Sequence, residues 1–300
     1  MNKGIWHALG AYVSWGVFPL YFMWLRNVPA LELISQRIIW SCLMLCGVLL
    51  LSRQWRAFCN SLSGPRVLRT YLIAAVLIGI NWGVFLWAII ADKVLEVSLG
   101  YFLSPIINVL MGVFFLRERL RPLQWLSIAL AAAGVLYLVH AYGGLPWIAL
   151  ALAISFGVYG LVKKGAPLRS LDGLTLETAL LFPAALGYLL YAQATGEGGL
   201  LDHGMATQLL LIGSGIATAI PLLLFASASQ RIPLWQLGML QYLAPTLQFL
   251  FGILVFHEPI TAAQLGGFAF IWTALLVFGI EGGWYVRARA APGRTRSITP

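Results

Sequence analysis

Charge is what this sequence has least of. Only 10% of its 300 residues are Asp, Glu, Lys or Arg, against 60% hydrophobic residues, and the mean hydropathy is +0.86. A soluble domain of this length cannot bury so much apolar surface, and soluble helices would carry polar outer faces that are missing here. Cysteine is scarce as well: Cys42, Cys46 and Cys59 are too few and too irregular for a disulfide framework or a four-ligand zinc site. The four histidines, His7, His140, His203 and His257, are scattered among segment ends and loops, so neither a metal nor a cofactor is expected. No GxxxxGK[ST] phosphate loop occurs, which argues against an ATP-driven machine. A membrane-embedded lipid-modifying enzyme would need clustered His, Asp or Ser groups near one interface. A membrane receptor or assembly factor would need large soluble parts. The chain offers neither, so no enzyme is expected, and these two remain the alternatives to transport.

What the chain does have is apolar runs of spanning length, nearly end to end. A transmembrane helix needs about 20 mostly apolar residues. Ten such segments are expected, at roughly 4–25, 31–52, 70–91, 95–116, 122–141, 145–163, 173–194, 206–229, 234–256 and 260–284. A secretory signal would be one short segment at the start, not ten in succession. The fold class expected is an all-α integral membrane protein with the lipid bilayer as its solvent.

The formal net charge of +9 could suggest a nucleic-acid partner, but nucleic-acid binders gather their basic residues on one exposed face. Here the basic residues alternate between connections. Lys3, the group Arg53, Arg56, Arg66 and Arg69, the Arg117–Arg121 connection, Lys163, Lys164 and Arg169, Arg231 and the arginines of the tail all fall on the N-terminal side of the membrane. Only Arg26 and Lys93 fall opposite, and Arg37 lies inside a segment. The positive-inside rule then puts both termini in the cytoplasm of a multi-pass protein of the bacterial inner membrane.

The sequence also repeats itself. A shift of about 140 residues, without gaps, sets Pro105 on Pro245, Gly112 on Gly252, Glu118 on Glu258 and Gln124 on Gln264. A shift of 141 pairs Ser14-Trp15-Gly16-Val17-Phe18 with Ser155-Phe156-Gly157-Val158-Tyr159. Repeats over 1–141 and 142–285, followed by a basic cytoplasmic tail over 286–300, hold five segments each. Five is odd, so the second copy must cross the bilayer in the opposite sense. The Arg117–Arg121 connection accordingly loses its arginines in its counterpart His257–Thr261. Inverted repeats belong to folds that open alternately to either face, with the site near the midplane.

Ionisable groups well inside a spanning helix cost roughly 2.5–3.5 kcal/mol each and persist where they line a path or pair. Arg37 and Glu177 are the two candidates. Arg37 suits an anionic substrate group and Glu177 a proton or cationic group, with snorkelling or helix sealing as the plain alternative. The inverted repeat sets them at similar depths from opposite faces, so a direct Arg37–Glu177 bridge is not expected. Polar and aromatic residues at mid-segment extend the candidate site: Trp15, Asn81, Trp82, Tyr101, Gln241 and Tyr242, with Tyr21, Asn108 and Gln248 behind them. Each has helix packing as its ordinary alternative. Pro105 and Pro245 are expected to kink their helices at matched positions. Glu118 and Glu258 are expected to anchor the turns that follow their helices, by capping the next helix N-terminus.

WGVFPLYF (15–22), RIIWS (37–41), IGINW (78–82), LGYFLSPIINVLMGVFFLRERLRPLQW (99–125) and LQYLAPTLQFL (240–250) together resemble the EamA branch of the drug/metabolite transporter superfamily, and within it the RarD-type permeases. The run 99–125 is the most specific of these. The resemblance implies a ten-helix fold of two EamA repeats with a central cavity, exporting small metabolites or drugs. The partners expected are a small-molecule substrate, protons as a coupling ion and no second subunit: the chain should act as a monomer.

Overall fold

The computed structural model describes residues 2–91, 93–143, 146–196, 203–257 and 261–290. Among these there is no strand. Ten helices are long and apolar enough to span a membrane: α1 Lys3–Leu25, α2 Ala30–Leu51, α3 Pro65–Ile89, α4 Glu96–Phe115, α5 Pro122–Tyr142, α6 Trp147–Lys164, α7 Ser170–Thr195, α8 Met205–Ser229, α9 Leu234–Leu254 and α10 Ala262–Trp284. The chain is an all-α multi-pass membrane protein. A short helix, Trp55–Ser61, lies between α2 and α3.

Local chemistry accounts for the ends. Pro65 and Pro122 occupy first-turn positions, where the missing N–H is no loss. Asn2 caps α1 by accepting from the Gly4 N–H at 3.0 Å. Gly143 and Gly196 close α5 and α7 in the left-handed conformation that suits glycine. α3 begins five residues before the apolar segment read from the sequence, because Pro65 starts a polar first turn that hydropathy alone does not see.

The helix starts recur. α2 and α7 begin at 30 and 170, α3 and α8 at 65 and 205, and α5 and α10 at 122 and 262; the helix containing α4 begins at 94, against 234 for α9. The caps recur too: Gln124 accepts from the Arg121 N–H at 2.9 Å and Gln264 from the Thr261 N–H at 3.0 Å. Arg117 and His257, at φ 55° and 53°, both take the left-handed conformation disfavoured for residues with a side chain.

The contacts divide the chain into two units. The first is Met1–Glu118 with Leu145–Pro259, carrying α1–α4 and α6–α9. Its core includes Tyr12, Tyr159, Phe225, Leu234 and Leu237, all fully buried. Glu118 caps a helix, though not α5, which follows it. Its carboxylate accepts from the Leu234 and Trp235 N–H groups at 2.8 and 3.0 Å, at the start of α9. Gly112 makes room for this, since a Cβ there would collide with the Glu118 carboxylate. Glu258 lies outside the described residues.

The second unit is Arg119–Gly144 with Ile260–Pro300, carrying α5 and α10. Gly134 sits against Phe270 and the Gly267 carbonyl, the close backbone approach through which small residues hold membrane helices together. Arg121 and Glu281 close one end with a 2.7 Å ion pair, and Gln124 donates to the same carboxylate.

Glu118→Ala should remove two charge-assisted hydrogen bonds between the end of α4 and the start of α9. It should cost about 1–3 kcal/mol and lower the thermal unfolding midpoint in nanodiscs, with Glu118→Gln intermediate.

Candidate functional site

Arg37 stands seven residues past the start of α2, roughly 10 Å along the axis at 1.5 Å per residue. Its Nε donates to Thr218 Oγ1 on α8 at 2.7 Å, and that hydroxyl is oriented by its own bond to the Ser214 carbonyl. Three rings face the guanidinium, with Cζ 5.0 Å from the Phe22 centroid, 5.6 Å from Trp82 and 5.8 Å from Phe18. Tyr101, 40% exposed, lies within electrostatic reach of it. Helices α1, α2, α3 and α8 therefore converge on one cation. Among the described residues no carboxylate lies within salt-bridge distance of Arg37.

Glu177 stands at the same distance past the start of α7 and is treated in the opposite way. Lys163 Nζ reaches its Oε1 at 2.6 Å and the Tyr159 hydroxyl donates to Oε2 at 3.0 Å, with both charged side chains almost fully buried. The Tyr71 and Tyr159 rings flank the ammonium at 5.2 and 5.7 Å. The sequence places Lys163 in a cytoplasmic connection, whereas in the structure it occupies the last turn of α6 with 1% of its surface exposed. Side chains on a helix lean toward its N-terminus, so the ammonium is carried back into the protein and finds Glu177 instead of snorkelling outward.

The remaining candidates divide into ring wall and brace. Trp15 packs among Tyr12, Phe156 and Phe225, with centroids 5.7, 5.8 and 5.7 Å away. Asn81 donates to the Leu152 carbonyl and to Ser155 Oγ, both at 2.9 Å, tying α3 to α6. Gln241 accepts from Asn108 Nδ2 at 2.5 Å, and the buried Tyr242 hydroxyl donates to the Phe102 carbonyl at 3.3 Å, so both hold α9 against α4. Tyr21 and Gln248 spend their donors on the carbonyls of Leu210 and Trp15. The backbone around the two prolines differs. α9 is divided at Tyr242, three residues before Pro245, whereas α4 runs through Pro105 to Leu110 and then widens into a π turn over Met111–Phe115.

Arg37, Trp82 and Tyr101 are thus brought together, with Trp15 in the neighbouring aromatic cluster, while Glu177, Asn81, Gln241 and Tyr242 are engaged elsewhere. Phe18, Phe22, Thr218 and Lys163 are absent from the sequence-derived set. Phe18 and Phe22 carried a signal, since with Trp15 they form a helical stripe at spacings of three and four. Thr218 and Lys163 carried none, because nothing local says which side chain meets which across the fold.

The EamA-like transporter family matches residues 2–140. An uncharacterised transporter from Bacillus subtilis, YojE, is 44% identical over 280 residues, 92% of this chain and 93% of that one. A protein named RarD from Escherichia coli is 41% identical over 280 residues, covering 93% and 95%. A crystal structure at 20% identity superposes with a TM-score of 0.71 over 92% of this chain and 97% of the other, which speaks to the fold alone. With such identities over nearly the whole of both chains, this protein belongs to the EamA-like transporter family and is one of its multi-pass membrane members.

Proposed function

We propose that the protein is a secondary-active transporter that exports a small organic solute across the bacterial inner membrane by alternating access, with both termini in the cytoplasm and a single chain as the working unit. The moving parts are two inverted repeats, 1–141 and 142–285. The observation that carries this is the recurrence of four helix starts, one cap and one left-handed residue at a constant offset of 140 residues, over an odd number of spans. Two copies of one structure crossing the bilayer in opposite senses can exchange conformations and so open the same site to either face. Arg37, Trp82 and Tyr101 line the binding region with Trp15 beside them, and Asn81, Gln241 and Tyr242 brace the helices around it.

Coupling to protons runs through Glu177 in this reading. In the conformation described, Lys163 neutralises the carboxylate. A movement that separated α6 from α7 would leave it buried and unpaired, a state relieved by taking up a proton.

Reporter fusions at residues 120 and 260 should report opposite compartments; the same compartment for both would end the inverted-repeat mechanism. In proteoliposomes, a panel of small organic solutes should include one with saturable flux that responds to a pH gradient. Glu177→Gln should abolish that response, and flux indifferent to pH would remove proton coupling. Lipid headgroup turnover without flux of any solute would favour the enzyme alternative. Lys163→Met alone leaves a buried carboxylate without its partner and should destabilise by about 3–5 kcal/mol in thermal unfolding, whereas adding Glu177→Gln should restore most of the loss.

A further inference from the structure

A guanidinium carries five N–H donors in one rigid plane. At Arg37 the Nε donor is committed to Thr218, and the rings of Phe18, Phe22 and Trp82 lie around the group. The Nη1 and Nη2 end is left over. Its N–H groups make no hydrogen bond to any described residue, and neither nitrogen is among the enclosed, unpartnered polar atoms, which are Tyr12 Oη, Glu32 Oε2, Gln36 Nε2 and Asn108 Oδ1. The free end is therefore not sealed inside the protein, while the rest of the cation is held in place. A purely structural arginine at this depth would spend these donors on carbonyls or a carboxylate, because unpaired charge inside a bilayer is costly.

One N–H from each Nη forms a fork that matches the two oxygens of a carboxylate. The rings of Phe18, Phe22 and Trp82 surround the guanidinium, and Tyr101 lies within its electrostatic influence. A cationic solute would meet like charge here. The ammonium of a zwitterion would find no carboxylate within salt-bridge distance of Arg37 among the described residues, where Glu177 is engaged by Lys163 and Glu32 by His203.

We propose that Arg37 is an anion receptor with its free fork presented to the binding region, and that the ligand class is small organic monocarboxylates with an aromatic or branched apolar body. Calling these ligands substrates rests on the transport reading above; the binding itself does not. The Thr218 bond and the ring faces fix the direction of the fork, so one face of the site takes the charge and the ring wall takes the body.

Calorimetric titration of the purified full chain in nanodiscs would use phenylacetate, indole-3-acetate and 3-methylbutanoate as probes. Phenylacetamide and phenethylamine serve as neutral and cationic counterparts. Phenylacetate should bind about tenfold or more tightly than phenylacetamide, the span expected of charge-assisted hydrogen bonds, with phenethylamine weakest. Arg37→Gln should bring phenylacetate and phenylacetamide to the same affinity, and Arg37→Lys, which keeps the charge but not the fork, should lie between. The comparison of probes on the unaltered protein needs no variant, so the test survives if Arg37→Gln fails to fold. The proposal is overturned if the amide or the amine binds as tightly as the carboxylate, if the preference persists in a folded Arg37→Gln, or if none of the three carboxylates binds at millimolar concentration. Carboxylate binding without flux would remove the transport reading and leave this one standing, whereas flux of neutral solutes with no carboxylate binding would do the reverse.

Discussion

Inside a bilayer there is no water to take up an unused donor or an unpaired charge, so each polar group that enters must be answered by the protein itself or by something the protein is built to receive. That constraint orders the rest of this structure. It turns the backbone into helices, since only a helix satisfies its own N–H and C=O groups within one segment. It also sorts the few polar side chains into pairs. Asn81 is answered by a carbonyl and a hydroxyl of α6, Asn108 by Gln241, Tyr242 by the Phe102 carbonyl and Glu177 by Lys163 and Tyr159. Arg37 is answered only in part, and so are Glu32, Gln36 and Asn108, while the Tyr12 hydroxyl is buried without a hydrogen bond.

Positions 37 and 177 stand at the same distance past the starts of α2 and α7, yet they solve the problem of a buried charge in different ways. At 177 a second charge of opposite sign is brought in from α6 and a tyrosine completes the shell, so the pair is neutral and closed. At 37 the protein supplies a hydroxyl and three ring faces, which stabilise a cation through its quadrupole attraction without neutralising it. The difference is chemical as well as geometric. A closed pair can hold two helices together, whereas a cation among rings keeps donors that the protein itself does not use.

Membership in the EamA-like transporter family and the offset of 140 residues bear on the same point from separate directions. The first comes from similarity to whole proteins, the second from similarity of this chain to itself. The helix starts at 30 and 170, and those at 122 and 262, carry the offset into the backbone, where the apolar composition that makes any two membrane helices look alike has no influence. Capping geometry at Arg121 and Thr261 is similarly indifferent to hydropathy, since it depends on one glutamine three residues on.

Much of the fold was legible in the residues taken in order. Ten spans follow from apolar length, and most of their limits follow from proline, glycine and the local caps, because these act through neighbouring atoms of one chain. Arg37 and Glu177 stood out for the same reason, as charges that lie where hydrocarbon should be. The pairings were not legible. Lys163, by its place beside Lys164, belongs to a basic connection, and only the orientation of α6 carries it inward to Glu177. Glu118 precedes α5 yet caps α9, more than a hundred residues away. Asn81, Gln241 and Tyr242 are picked out by the sequence as polar groups at mid-segment, but their partners on α6 and α4 are not. Sequence alone therefore determined what must cross the membrane and which charges needed an answer there. Tertiary structure decided which of them received one, since that depends on which helix faces meet, a property carried by no single helix.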